Sequence, residues 1–378
     1  MYRKAALSAL LAVVVAVLAA CGGSDSDGPI KIGVIANITG PDTLNGRDSV
    51  RGITLAADEI NKAGGIDGRR VKLIVEDSEY KPVSGVNAAR KLIDVDHVTA
   101  LISNAGSSVV VPVAKYAQGR KTVVVNTGAS SIELRPMSGT VYSMIPLDDI
   151  FTDGFARWVY REGARNVAVL MPSNPFGTGL NTSFTDAFER LGGTVTEGVN
   201  FKEGQQDYRP DLQRILASRP EAIITGAYGA DAVLLWKQAH QIGLDVPWLV
   251  AYPTGLPIRD ANGRLFGIDF GYDLPEGDAF RRAYEQKFDQ PAQTASAVYA
   301  YDGMKMLGDA LRASRGEGGT DLGDGLTRTA ESFSGATGRI AFDDDGQRSS
   351  VPYVFLKQED DGSFVPLKEP IGFTGASS

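Results

Sequence analysis

The chain is poor in histidine and cysteine, the side chains that most often cleave bonds or hold transition metals. Its 378 residues include two histidines, His97 and His240, and one cysteine, Cys21. Each histidine stands alone in a polar helical or loop context and reads as a surface residue. No G-x-S-x-G elbow, Walker lysine loop, H-E-x-x-H pair or G-x-G-x-x-G after a strand occurs, so a serine hydrolase would have no partnered base. One cysteine leaves no internal disulfide and no cysteine-rich zinc site. The run Asp343-Asp344-Asp345-Gly346 would place Ala341 first in a calcium loop, where an oxygen ligand is needed, and so reads as a turn. What remains suits binding. Ser107 follows the β-branched run 99–103 and precedes a helical stretch, so its hydroxyl and the N–H groups beside it either cap the helix or favour an anion. Gly128-Ala129-Ser130 follows the run 122–125. Its glycine lets a carbonyl approach a ligand amine, and its serine adds a hydroxyl and an N–H.

Cys21 has a different meaning. Arg3 and Lys4 precede an apolar stretch over 5–20, broken only by Ser8 and closed by Leu18-Ala19-Ala20-Cys21. A charged start, a short apolar stretch and a small-residue end describe an export signal, too short to span a bilayer comfortably. Leu-Ala-Ala-Cys resembles a bacterial lipobox, which makes 1–20 a signal peptide and Cys21 a lipidated N-terminus. Residues 21–28 are small and polar, the composition of a tether. The expected location is outside the cytoplasm, anchored to the membrane by lipid.

The chain is 43% hydrophobic and 22% charged, with a net charge of −8. This is a globular composition long enough for two or three domains, and its charge balance argues against a nucleic-acid partner. Short β-branched runs at 30–36, 71–75, 99–103 and 122–125 alternate with helical patterns. The first helix, near 48–63, places Val50, Ile53, Ala57 and Ile60 on one stripe and stops at Gly64-Gly65. The next, after Pro82, offers Val86, Ala89, Leu92 and Ile93. A second series runs through a helix at 149–161, a strand at 167–171, a helix at 178–191 and a strand at 195–201. It continues with a helix capped by Asp207 that turns Leu212, Ile215 and Leu216 inward, then strands at 222–225 and 248–251 around a helix at 230–242. Two such series predict an α/β protein of two lobes, each a parallel sheet flanked by helices. Residues 338–343 and 351–355 are strand-like, and composition assigns them to neither lobe.

Several segments resemble the leucine/isoleucine/valine-binding proteins of ABC importers, which have the type I periplasmic binding fold. These are Ile30-Lys31-Ile32-Gly33-Val34 with Thr39-Gly40-Pro41, Ala57-Asp58-Glu59-Ile60-Asn61 with Gly64-Gly65-Ile66-Asp67-Gly68, Ser107-Ser108, Gly128-Ala129-Ser130, Gly177-Thr178-Gly179 and Gly338-Arg339-Ile340-Ala341-Phe342-Asp343. The resemblance covers about 30–365. It implies three crossings between lobes, with 29–147 and 276–345 in lobe one and 148–275 and 346–378 in lobe two. It also implies a ligand in the cleft between them. Ser107 then corresponds to the serine that holds a ligand carboxylate, and Tyr228 to a ligand-contacting tyrosine that covers the ligand on closure. Asp148 matches an aspartate able to meet an ammonium or to cap a helix. Two positions depart from the family pattern: Tyr252 stands where amino-acid binders carry a glutamate for the ammonium, and Asn45 replaces an aromatic. Without that glutamate, a buried ammonium needs Asp148 or another acid.

These observations predict a monomeric solute-binding protein, without catalysis, cofactor or metal. It would deliver an amino acid or related small carboxylate to an ABC permease. A binder of an amide, or of an aromatic or hydroxy carboxylate, is the alternative that Tyr252 suggests, with leucine, isoleucine and valine not the best ligands. From other classes, an exported hydrolase would need a nucleophile beside a histidine, and a regulator's effector domain would need a helix-turn-helix where the signal stands.

Overall fold

A computed structural model of the chain describes residues 28–373, apart from 254–255, 257, 259–262, 271–273, 350 and 372. Cys21 and the targeting segment lie outside the described residues. The first sheet is formed by β1 (Ile30–Ala36), β2 (Val71–Asp77), β3 (Ala100–Asn104), β4 (Val123–Asn126) and β5 (Val141–Ser143), all parallel in the order β2-β1-β3-β4-β5. Strands β3 and β4 are buried throughout, which explains their uninterrupted apolar runs: helices cover both faces.

The helices of this half are α1 (Thr43–Lys62), α2 (Pro82–Arg90) and α3 (Ser107–Gln118). α1 begins five residues before the expected start at 48, so its first turn reaches the end of the sheet. Its stripe faces inward as predicted at Ile53, Ala57 and Ile60. At its end Gly65 has φ 79°, its N–H bonds to the Ile60 carbonyl at 2.9 Å, and a Cβ there would lie 2.2 Å from the Arg69 carbonyl oxygen. Only glycine fits that close approach.

The second half contains α4 (Asp148–Arg161), β6 (Asn166–Pro172), α5 (Pro175–Arg190), β7 (Thr194–Phe201), α6 (Arg209–Ser218), β8 (Ala222–Thr225), α7 (Gly229–Gln241), β9 (Trp248–Ala251) and β10 (Leu265–Phe270). Strands β7, β6, β8, β9 and β10 are mutually parallel. The expectation of a parallel sheet holds for these βα units. The sheet is then extended by β13 (Tyr353–Gln358) and β14 (Phe364–Pro366), both antiparallel to their neighbours. One inward assignment is corrected: Leu212 and Ile215 are buried, but Leu216 is 37% exposed, because adjacent helical residues lie about 100° apart and the core takes only one stripe.

Between β10 and β13 the chain returns to the first sheet as α8 (Asp278–Phe288), α9 (Ala295–Ala313) and α10 (Gly319–Ala330), followed by the small hairpin β11 (Ser334–Gly335) and β12 (Gly338–Arg339). Ile53, Ala57 and Ile60 of α1 share one core with Met304, Leu307 and Leu311 of α9. The acidic run after β12 is a turn, as expected. Asp343 accepts from the N–H groups of Asp345 and Gln347, and Arg135 pairs with Asp343, Asp345 and Asp149.

Candidate functional site

A cavity of about 340 Å³ lies where the C-terminal ends of the strands from both sheets meet. Its wall takes Asn104 from the end of β3, Gly128 and Ser130 from beyond β4, Gly226 and Tyr228 from beyond β8, Tyr252 from beyond β9, and Asp269 and Phe270 from β10. The opening turns of five helices face the same space through Asn45, Ser107, Phe176, Gly229 and Ser296. Strand ends and helix starts converge here because each βα unit passes from strand to helix at this edge. The helix N-termini present partial positive charge, and among the described lining residues none is Lys, Arg or His. An anion in this cavity is therefore met by dipoles and hydroxyls.

Six of the seven predicted ligand residues line the cavity: Ser107, Gly128, Ser130, Tyr228, Tyr252 and Asn45. Ser107 is the first residue of α3 and does not cap it; the N-cap is Gly106, and the Ser107 Oγ accepts from the Ser131 N–H at 3.3 Å. Gly128 has a structural reason to be glycine, since a Cβ there would lie 3.0 Å from both N and O of Ala105. Its close approach is to the neighbouring strand end.

Asp148 is the exception and corrects the expectation that it meets a ligand ammonium directly. It opens α4, fully buried behind Ser130, to whose carbonyl its N–H donates at 2.7 Å. It does not line the cavity. Neither carboxylate oxygen has a hydrogen-bond partner, and Oδ2 faces Gly179, where a Cβ would come within 2.8 Å. Burial pushes this carboxyl well above the ordinary carboxylate range, while the nearby Ser130 hydroxyl opposes the rise. Ser130 influences it without making a hydrogen bond of standard geometry.

Tyr252 occupies the floor with a left-handed backbone, φ 57°. Its ring stacks on Phe151 at 4.3 Å and leans on Phe270 at 5.1 Å, while its buried Oη has no hydrogen-bond partner. Burial, then the charge of Asp148, hold the phenol well above its ordinary pKa, so it stays a neutral donor. Tyr228 lies at the mouth, where its hydroxyl donates to Glu203 and accepts from Asn174 at 3.0 Å. Its hydroxyl is therefore already engaged, and its ring is the part left to face the cavity. Asn45 is similarly engaged: Nδ2 donates to Asp42 at 2.6 Å, and Oδ1 accepts from Ser296 at 3.0 Å. Although Asp42 keeps exposed surface, the protein around the cleft pushes its carboxyl up to about 6, with the Asn45 bond opposing the rise.

Sequence reasoning missed Tyr80, Phe176, Asp269, Phe270 and Tyr299, all on the wall. Four belong to no motif. Asp269 left a signal: it is the one charged residue in Leu265–Phe270, a strand whose residues are all buried, where a carboxylate is costly without a purpose. His97 and His240 are both exposed and away from the cavity.

A family model described as periplasmic binding protein matches residues 29–363. The Leu/Ile/Val-binding protein homolog 3 of Brucella melitensis biotype 1 is 26% identical over 354 residues, covering 90% of this chain and 94% of the relative. A leucine-binding protein structure from Thermotoga maritima superposes with a TM-score of 0.79 at 24% identity, covering 89% of this chain and 97% of the other. A solute-binding protein of an ABC transporter from R. palustris, in complex with 4-hydroxybenzoate, gives 0.80 at 21% identity, covering 90% and 96%. At these identities the two structures speak for the fold alone.

Proposed function

Because this chain belongs to the periplasmic binding protein family, we propose that it is the extracytoplasmic solute-binding component of an ABC importer. Its cavity would hold an amino acid or a related small carboxylate. The observation that carries this is the opening of α3 onto a cavity whose described lining holds no basic side chain: Ser107, with Ser130 beside it, gives a carboxylate hydroxyls and a helix N-terminus. In this reading the lobes divide as 29–147 with 276–345 and 148–275 with 346–378. The cleft closes on the ligand by a hinge, and the monomer is held to the membrane by lipid on Cys21 while it serves a permease. The relatives are named as binding proteins, and the chain is read likewise as a binder without turnover.

A second reading, an aromatic or hydroxy carboxylate, is favoured by the rings of Tyr80, Phe176, Tyr228, Tyr252, Phe270 and Tyr299 on the wall. A thermal-shift screen of the mature protein against amino acids, amides and aromatic acids tests both. A true ligand stabilises by about 2.7 kcal/mol at 100 times its dissociation constant. Failure of every small carboxylate to raise the melting temperature would remove the carboxylate reading.

A further inference from the structure

The chain leaves the first sheet at 144–147, between β5 and α4, and leaves that half again through 340–349, which leads from β12 towards β13. These two linking segments are bonded to each other. Gln347 forms a parallel bridge with Ser143 of β5, where the Ser143 N–H donates to the Gly346 carbonyl at 3.1 Å. The Ser143 hydroxyl donates to Gln347 Oε1 at 2.5 Å, and Gln347 Nε2 donates to the Val141 carbonyl at 3.2 Å. Gly346 has φ 78°, and a Cβ there would lie 3.1 Å from the Val141 carbonyl oxygen, so the segment needs glycine to lie this close to β5.

Arg348, the next residue, is 0% exposed, a cation taken wholly into the core. Its Nη1 donates to the Met144 carbonyl in the first linking segment and to Thr337 Oγ1, both at 3.0 Å. Its Nη2 donates to the carbonyls of Thr337 at 2.9 Å and Arg339 at 3.3 Å. Thr337 is fixed in turn, because its N–H and hydroxyl donate to the Asp302 carboxylate of α9 at 2.7 and 2.6 Å. The guanidinium also stands 5.4 Å from the ring centroid of Tyr299, one turn earlier on α9. Tyr299 and Ile145, the residue after Met144, both line the cavity, and the Tyr299 ring meets Phe270 of the second sheet at 5.4 Å. One buried side chain therefore joins both linking segments to the cavity wall from behind. Burying a guanidinium is costly unless its donors are met. A planar fork divides these acceptors between two nitrogens, which the single nitrogen of an ammonium cannot do.

We propose that Arg348 is a positioning residue for ligand binding: it clasps the two linking segments into one hinge unit and holds Tyr299 and Ile145 in the wall, so that the halves close along a single path onto a preformed surface. This role rests on the hinge closure proposed above and names the residue that directs it. Arg348 acts through the hinge and the wall and needs no contact with the ligand.

Double electron–electron resonance tests this through spin labels on Val83→Cys and Val233→Cys in the mature chain carrying Cys21→Ser. Both positions are exposed and lie a few residues beyond the lining residues Tyr80 and Tyr228, one in each half. L-leucine, L-phenylalanine and 4-hydroxybenzoate serve as probes, each also titrated by calorimetry. Arg348→Lys, which keeps the charge and loses the fork, should spread the single wild-type distance of the empty protein into a broad distribution. It should also weaken whichever probe the wild type binds by about tenfold or more, the lower bound for a hydrogen bond to a charged group. A lower melting temperature with distance and affinity both at their wild-type values would reduce Arg348 to a stabilising residue and overturn the proposal. Should Arg348→Lys fail to fold, Thr337→Val removes the hydroxyl between Asp302 and Arg348 and should broaden the distances likewise; a wild-type distribution there would overturn the proposal too. If the wild type binds none of the probes, the carboxylate reading falls by itself, and the empty-protein distances still decide for or against Arg348.

Discussion

The rings of Tyr80 and Tyr228 face each other at the cavity mouth with centroids 5.9 Å apart and planes tilted by 55°. Tyr80 follows β2 in the first sheet and Tyr228 follows β8 in the second, so the pair joins the two halves of the molecule. Tyr80 and Glu79 both have left-handed backbones, φ 56° and 51°, a strained pair of non-glycine residues at a functional edge. In the hinge closure proposed above, this contact between the halves belongs to the closed state.

Tyr80→Ala should therefore weaken ligand binding chiefly through faster release. An aromatic pair contributes about 0.5–1.5 kcal/mol beyond area burial, which corresponds to a rise in the dissociation rate of roughly 2- to 12-fold. Stopped-flow displacement with any ligand found by the thermal screen checks this. An unchanged release rate would mean that the pair does not hold the cleft.

Ser107→Ala removes a hydroxyl from the wall and leaves the α3 backbone in place, because the residue is not the helix cap. A carboxylate ligand should bind about 1.5–3 kcal/mol more weakly, the range for a hydrogen bond to a charged group. The melting temperature of the empty protein should fall modestly without loss of the fold, because the buried Ser131 N–H loses its acceptor. Calorimetry that returns wild-type affinity for a carboxylate ligand would place the anion elsewhere.

Asp148→Asn is predicted to stabilise the protein near neutral pH. Burial raises the carboxyl above its ordinary 3.8, so the folded state holds a proton that the unfolded chain releases. Stability from this group is complete below about pH 4 and falls as pH rises towards the folded value. The amide keeps the shape and removes that loss, so the variant should melt higher than wild type at pH 7 and match it at pH 3.5. For a chain of this size each kcal/mol is worth about 2–4 °C or less. Equal melting temperatures at pH 7 would show that the carboxylate is ionised and compensated.

Cys21 closes the run Leu18-Ala19-Ala20-Cys21, and from this position alone it is expected to carry lipid. Radiolabelled palmitate should enter the wild type expressed in a bacterial host and not Cys21→Ser. Equal labelling of the two would remove the anchor.

Much of the fold was legible because strands buried on both faces must be continuous apolar runs. Strands β8 and β9 have the bounds expected from their residues, Ala222–Thr225 and Trp248–Ala251. The order of strand, helix and glycine turn marked Ser107, Gly128 and Ser130, and the family resemblance marked Tyr228 and Tyr252; all five follow strands and gather on one wall. The tertiary structure decided which side chains face the opening. Asp148 and Asp269 are both buried acids beside the same tyrosine, yet Asp148 turns behind Ser130 towards Gly179 and Asp269 lines the cavity. Tyr80 became a site residue only by meeting Tyr228, which lies 148 positions along the chain and in the other sheet. Local periodicity fixes where a side chain points relative to its own strand or helix. Whether that direction ends in core, in solvent or in a cavity depends on the element packed opposite, and here that element comes from the other lobe.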